Sequence, residues 1–433
     1  MLEFVSGGVP LPARSKLGLV FSCSHTQKLR LCDVSMSKRS RGTDAPAYLA
    51  GILLVFTGAY LFFALVSYDP RSVPGWAPLI SSVASSSAQA SQNLGGPLGA
   101  LVDRIGPKIV MIIGLVVSAT SGFGFAFVST KPSAVIVMTL FAIGNQCIWP
   151  AQMVMLTRLT PVEIRSKIFG FNFMLMNLGL GVGGLLSSVI IRENSLFSYQ
   201  VMYLIDGVTY LIFLFIIFGL NTPAAGRYVA KENEPQSGSY RELFAHRELT
   251  ILTFAGIILL TFGYGPLQSG LPVYATQYLD LAPNWLGIIF GVNTFAIVAF
   301  QPLVLRILER YSKYTALVSV GFIWGLSWLA VGVSPYLSMF MAGIALCVSQ
   351  LIFAFGEMVH APTSPALMQE LTPEHIRGRA SALISLQWGI SGIAGPALAG
   401  IMIGAHLEQQ WVLLMAIGVL VPIPFFAYLK RKN

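Results

Sequence analysis

The chain has 433 residues, of which 55% are hydrophobic and only 10% charged, with a formal net charge of +9 and a mean hydropathy of +0.71. Soluble domains carry roughly 25% charged residues, so a water-soluble protein is excluded. The basic excess would suggest a nucleic-acid partner in a soluble chain; in a membrane chain it reports orientation, and no nucleic acid is expected.

The first 35 residues have no helical or strand period and no apolar run long enough to span a bilayer. Within them "KLGLVFSC" is too short for a secretory signal. Met36 then opens "MSKRSRGTDAPAY", which reads as a basic cytoplasmic amino terminus, so translation is expected to start there and residues 1–46 to be disordered or cytoplasmic. A bilayer core takes about 20 helical residues. The apolar runs supply twelve spans: 47–67, 76–101, 109–129, 133–156, 168–191, 199–219, 249–275, 284–305, 314–333, 336–360, 380–404 and 409–428. A polar Pro/Gly/Ser/charged linker, 221–248, separates the sixth from the seventh, and a basic tail, 429–433, closes the chain. The expected fold is an all-α polytopic membrane protein with two six-helix halves, 47–220 and 249–428. With the amino terminus inside, the cytoplasmic segments from Lys38 onward hold 20 Lys and Arg; the outside holds Arg71, Lys131 and Arg192. This asymmetry places both termini in the cytoplasm. The four cysteines show no metal-type spacing and suggest neither a disulfide framework nor a zinc site.

The second span contains "ISSVASSSAQASQN", unusually polar for a membrane helix. Ser82, Ser85, Ser86, Gln89, Gln92 and Asn93 fall at helical spacing on one face. A polar stripe facing lipid would leave its donors and acceptors unsatisfied, so it should face protein or a watery cavity. The serines suit a small-residue helix interface, and Gln89 and Gln92 suit cavity contact.

An internal repeat organises the rest. "GNQCIWPAQMVMLTRLTPVEIRSK" from Gly144 aligns without a gap with "GEMVHAPTSPALMQELTPEHIRGR" from Gly356. Gly144, Pro150, Leu159, Thr160, Pro161, Ile164 and Arg165 match Gly356, Pro362, Leu371, Thr372, Pro373, Ile376 and Arg377, and the register continues to Gly183 and Gly395.

Two six-helix repeats with both termini inside, together with "GALVDRIGPK" (Gly99 to Lys108) between the second and third spans, resemble the major facilitator superfamily. The loop is similar to the family pattern G-x-L-x-D-R-x-G-[RP]-[RK]; its counterpart "LVLRILERYSK" is degenerate. The resemblance covers about residues 45–430. It implies a twelve-helix transporter with no cofactor, driven by an ion gradient. It further implies that Asp103, Arg104 and Lys108, with Gly99 and Gly106 allowing close approach, latch the halves together on the cytoplasmic side. Asp103 would then face the start of the eleventh span, which Arg377 and Arg379 precede, with Arg165 in the equivalent first-half loop.

Only two acids lie deep in the spans, Asp206 and Glu357, and intramembrane carboxylates are functional by default. Glu357 occupies the position that Asn145 fills in the first half, in a "GE…P" pattern resembling the drug:proton antiporter branch. Counted from Pro335 it would lie near the cytoplasmic face; by symmetry with Asn145 it would lie near mid-membrane, with about two extra turns of helix outside. Asp206 reads either as a second coupling acid or as a packing carboxylate. The branch's glycine signature is incomplete, because Gly184 replaces proline after Gly183, whereas Gly395-Pro396 stands in the eleventh span. The acid often found in the first span and the arginine often found in the fourth are both absent.

The seventh span, "FGYGPLQSGLPVYATQY", is interrupted by Pro266 and Gly270 among others and suits a pliable outer gate. Trp149, Tyr264, Gln268, Asn293, Gln387 and Trp388 are expected near the cavity. Carboxylates without a buried cation suit neutral or cationic amphiphiles. The expected protein is a monomeric secondary transporter of the plasma membrane, exporting hydrophobic or cationic small molecules in exchange for protons. A symporter, uniporter or metabolite exporter is the near alternative, and a transport-dead sensor or scaffold the distant one. An enzyme is disfavoured because no span holds a metal cluster or a nucleophile–base pair, and nearly all histidines are placed in loops.

Overall fold

The computed structural model describes residues 95–128, 130–190, 195–220, 226, 238–267, 270–282 and 284–432. The first span, most of the second with Gln89 and Gln92, and Gln268 lie outside them. The described chain is nearly all helical. In order it forms α1 (Gly95–Ile105), α2 (Pro107–Ala126), α3 (Lys131–Leu159), α4 (Arg165–Ile190) and α5 (Leu196–Gly219). After the linker come α6 (Tyr240–Ala245), α7 (Arg247–Gly263), α8 (Gly270–Val273), α9 (Asn284–Leu308) and α10 (Lys313–Val333). The last are α11 (Met339–Leu371), α12 (Arg377–Gly404), α13 (Glu408–Gly418) and α14 (Ile423–Lys432). Eight helical segments among the described residues are long and apolar enough to cross a bilayer.

The repeat appears as repeated geometry. Thr160 and Thr372 end α3 and α11 in extended conformations. Pro161 (φ −56°) and Pro373 (φ −54°) then start matching 3-10 turns, Val162–Ile164 and Glu374–Ile376. Proline's fixed φ and missing N–H stop the long helix and set the next one off in a new direction. Each half has its own apolar core: Val110, Met111, Phe141, Tyr203 and Phe213 in one, Leu259, Trp324, Phe353, Leu383 and Trp411 in the other. The halves meet where α1, α3 and α4 pack against α9, α11 and α12.

Several boundaries differ from the sequence-based expectation. Composition makes the linker a loop through Glu248, yet Ser239 caps α6 by accepting from the Glu242 N–H, and α7 begins at Arg247. The twelfth span is two helices, interrupted between Gly418 and Ile423. The seventh breaks after Gly263 and resumes at Gly270, passing into a π-helical turn at Tyr274–Tyr278. Hydropathy ends the tenth at His360, but α11 continues to Leu371 despite Pro362 and Pro365. A window of membrane length undercounts a helix of 33 residues.

Candidate functional site

The corrected length of α11 settles the placement of Glu357 along its helix. Asn145 lies 14 residues before the end of α3 at Leu159, and Glu357 lies 14 before the end of α11 at Leu371. At 1.5 Å per residue both stand roughly 21 Å from the carboxy-terminal ends of their helices. The helices differ by four residues, 33 against 29, so the outer excess of α11 is about one turn.

Between the halves lies a cavity of about 430 Å³. From α3 it receives Asn145, Gln146, Trp149 and Gln152, and from α4 Asn172 and Phe173. The turn after α7 gives Tyr264; α11 gives Glu357, His360 and Ser364; and α12 gives Ser385, Gln387, Trp388, Ser391 and Pro396. No Lys or Arg among the described residues lines it. Glu357 is 5% exposed and accepts a 2.6 Å hydrogen bond from Asn293 Nδ2, reaching across from α9. The Tyr264 hydroxyl is its other hydrogen-bonding neighbour. Tyr264 is held edge-on against Trp388, with ring centroids 4.6 Å apart. Asn293 therefore acts on the cavity through Glu357 without lining it.

An amide and a serine on α12 look back toward α7. Gln387 Nε2 donates to the Thr253 carbonyl at 3.1 Å, and Ser391 Oγ to the Leu260 carbonyl at 2.7 Å. The chain can come this close because the interruption of the seventh span meets the Gly395-Pro396 step: a Cβ on Gly395 would lie 2.5 Å from the Gly265 carbonyl carbon. Gly270 likewise seats against Trp411 and Ala399, and Pro266 accepts at its carbonyl from Leu271 N–H. Gly183 and Gly184 lie within α4.

Several cavity groups were not singled out by the sequence. Gln152 Nε2 donates to Asn172 Oδ1 at 2.9 Å, an amide pair fixed across α3 and α4. His360, at the end of a span by hydropathy, stands mid-helix one turn beyond Glu357 with its ring 5.7 Å from that of Trp324. Its Nε2 is buried without a partner among the described residues. The available signal was the amide content of every span; the histidine was hidden by the truncated boundary.

Asp206 is not in the cavity. It is fully buried in the amino-terminal half, beside Gly122 of α2 and Gly207 of α5.

At the end of the bundle where α1 meets the start of α12, Asp103 accepts from the Gly378 N–H (2.6 Å), the Arg379 N–H (3.2 Å) and Arg379 Nη1 (2.8 Å). The free N–H groups and positive end of α12 thus meet a carboxylate. Arg377 and Arg379 lie in the first turn of α12, not ahead of it. Arg377 pairs with Glu374 at 3.8 Å. Arg165 is buried and donates to the Thr157 carbonyl, and burial followed by the neighbouring Arg377 lowers its pKa. Lys108 donates to the Leu220 carbonyl (2.7 Å) and the Phe218 carbonyl (3.2 Å) at the end of α5. Arg104 is exposed. Gly106 adopts φ 94°, a conformation that favours glycine, and so lets α2 start directly after α1. A Cβ on Gly99 would lie 2.5 Å from the Gly378 carbonyl oxygen, so the two helices touch backbone to backbone.

The family model of the Major Facilitator Superfamily matches residues 47–346 and 286–433. The chain belongs to this superfamily. It is a multi-pass membrane transporter, not an enzyme. It is 25% identical over 400 residues to the multidrug resistance protein MdtH of Edwardsiella ictaluri, covering 89% of this chain and 94% of that one. It is also 25% identical to the transporter YttB of Bacillus subtilis over 342 residues, covering 78% and 82% of the two chains. A Na(+), Li(+), K(+)/H(+) antiporter of Planococcus maritimus is 22% identical over 411 residues, with 87% and 91% covered. Among solved structures, an outward-facing bacterial homologue of the iron transporter ferroportin superposes with a TM-score of 0.75 at 13% identity, covering 89% of this chain and 98% of that one. The Escherichia coli fucose:proton symporter gives 0.67 at 13%, covering 90% and 99%. At these identities the superpositions establish the fold, that of a two-half transporter.

Proposed function

We propose that this transporter works by alternating access and exports hydrophobic or cationic small molecules in exchange for protons, with Glu357 as the coupling carboxylate. The observation that carries this reading is Glu357 itself. It is a buried acid in the cavity wall, held by an amide and a phenol, and no Lys or Arg among the described residues lines the same cavity. Desolvation in such a site disfavours the charged form, so Glu357 can exchange a proton for a cationic or polarisable ligand occupying the same space. The aromatic groups Trp149, Tyr264 and Trp388 supply flat apolar and cation-attracting faces. Similarity to MdtH, a multidrug resistance protein, supports the choice of substrate class. The Asp103 cluster closes the cytoplasmic side while the cavity is loaded or emptied from outside. The protein is proposed to act as a monomer in the plasma membrane with both termini cytoplasmic and without a cofactor.

The test is proton release in proteoliposomes carrying a pH-sensitive dye, with ethidium and a panel of lipophilic cations as probes. Ethidium should drive proton movement through wild type and not through Glu357→Gln. Transport without proton movement would replace antiport by uniport. Movement of protons on addition of sodium or potassium, but not of any lipophilic cation, would replace drug export by alkali-cation exchange, as the Planococcus relative's name suggests.

A further inference from the structure

The amino-terminal half holds a second carboxylate that the cavity does not use. Asp206, in α5, is fully buried, and neither carboxylate oxygen has a hydrogen-bond partner among the described residues. Its Oδ2 would lie 3.2 Å from a Cβ placed on Gly122, which fixes it at the α2–α5 contact. One turn away on α2, Ser118 is also fully buried with its hydroxyl unpartnered among the described residues. Ser118 stands against Gly144 of α3, whose Cβ would meet its Oγ at 2.5 Å. One turn along α5 from Asp206, Tyr210 directs its hydroxyl to Asn145 Oδ1 at 3.2 Å. Asn145 lines the cavity. Buried polar groups therefore stand between Asp206 and the cavity wall, with Tyr210 bonded to Asn145 and neither Ser118 nor Tyr210 hydrogen-bonded to the carboxylate.

The charged surroundings of Asp206 are sparse. On α2, the groups are Ser118, Ser121 and, at the far cytoplasmic end, Lys108, whose ammonium is committed to α5 carbonyls. On α3 they are Asn145 and Cys147, with Lys131 and Arg158 at its two ends. On α4, Arg165 and Lys167 stand at its cytoplasmic start. On α5 itself they are Tyr203 and Tyr210. No cation among the described residues faces the carboxylate. An isolated ionised carboxylate in an apolar interior costs so much that the group takes up a proton instead.

The two halves then correspond in a way the repeat alone hides. In the carboxy-terminal half the carboxylate occupies the cavity wall at Glu357; in the amino-terminal half Asn145 occupies that position and the carboxylate stands behind it.

We propose that Asp206 is a second proton-binding site of the transporter, exchanging its proton with the cavity by way of Tyr210 and Asn145. Asp206 and Tyr210 are not hydrogen-bonded in this structure, so the proton leaves the carboxylic acid only when they are brought together: the Tyr210 hydroxyl then takes it and gives its own to cavity water beside Asn145, and the carboxylate retains the negative charge. Because that charge has no partner among the described residues, release requires the packing of α2 against α5 to loosen, which ties proton release to the conformational cycle. This extends the proton-coupled reading above, but these groups are observed without reference to any substrate.

The experiment is infrared difference spectroscopy of the purified full-length protein in lipid nanodiscs, following the carbonyl stretch of protonated carboxylic acids. At mildly alkaline pH, wild type should show a band that Asp206→Asn removes and Glu357→Gln leaves in place. In Tyr210→Phe the band should persist while its hydrogen–deuterium exchange slows by roughly tenfold, the effect of about 1.4 kcal/mol on a barrier. A band unchanged in Asp206→Asn, or one abolished in wild type by sodium alone, would overturn the proposal; the second result would make the site one for an alkali cation. Should Asp206→Asn fail to fold, exchange in Tyr210→Phe decides, and a rate equal to wild type refutes the route. No substrate enters this measurement, so a failure of ethidium-driven proton release does not change the infrared result, and the converse holds as well.

Discussion

Adding one methyl group to Gly99 should open the seam between the halves at Asp103. A Cβ there would lie 2.5 Å from the Gly378 carbonyl oxygen and 2.6 Å from the Ala382 Cβ. One of these is backbone in the first turn of α12 and cannot rotate away, so α1 and α12 must part by roughly 1 Å to restore ordinary contact. Parting also lengthens the bonds from Gly378 and Arg379 to Asp103. Overpacking of this kind costs about 1–3 kcal/mol, which lowers the closed-to-open ratio by roughly 5- to 150-fold. Gly400→Ala is the control, because it lies on the same helix and a Cβ there meets nothing within 4 Å. Spin labels at the exposed positions Arg104 and Arg310, one on each half, report the separation by pulsed electron resonance in a background without native cysteines. Gly99→Ala should move the distance distribution to longer values and Gly400→Ala should not. A Gly99→Ala distribution that overlays wild type would refute the claim that backbone contact at this seam holds the cytoplasmic side closed.

The same labels test pH. Burial is the largest influence on Asp103 and outweighs its bonds to Gly378 and Arg379, pushing it up to about 6. In an open cytoplasmic gate the carboxyl returns towards its ordinary lower value, so the closed state binds the proton more tightly. Lowering pH through 6 should therefore populate the closed state, raising it should favour opening, and Asp103→Asn should abolish this dependence. Trp388→Ala removes the edge contact with Tyr264, worth about 0.5–1.5 kcal/mol, and should raise the KM for ethidium roughly 2- to 10-fold. Trp411→Ala, cut from the core between Trp328 and Tyr274, should lower the melting temperature instead. Lys108→Ala leaves the last carbonyls of α5 without their side-chain donor and should cost about 1 kcal/mol of stability, seen as a small fall in Tm with transport retained.

Much of the architecture was legible because the bilayer imposes a simple rule. Backbone groups in hydrocarbon must bond within their own helix, so apolar runs of sufficient length become spans. The repeat around Pro161 and Pro373 was readable for a related reason: proline dictates local backbone wherever it occurs, and both copies make the same 3-10 turn. Asp206 and Glu357 stood out because charge is rare in such runs.

What the sequence could not supply was depth and partnership. The end of α11 depended on the helix running on through Pro362 and Pro365 to Leu371, and with it went the position of His360. That Glu357 bonds Asn293, 64 residues away, and that Gln152 bonds Asn172 across two helices, follows from how helices lie beside one another. An amide in an apolar run announces only that it needs a partner. The sequence by itself determined the helices and the two-fold repeat, because those depend on hydrophobicity and local backbone chemistry. Only the tertiary structure decided that one intramembrane carboxylate faces the cavity and the other lies sealed behind a tyrosine, because each depends on which helix faces stack.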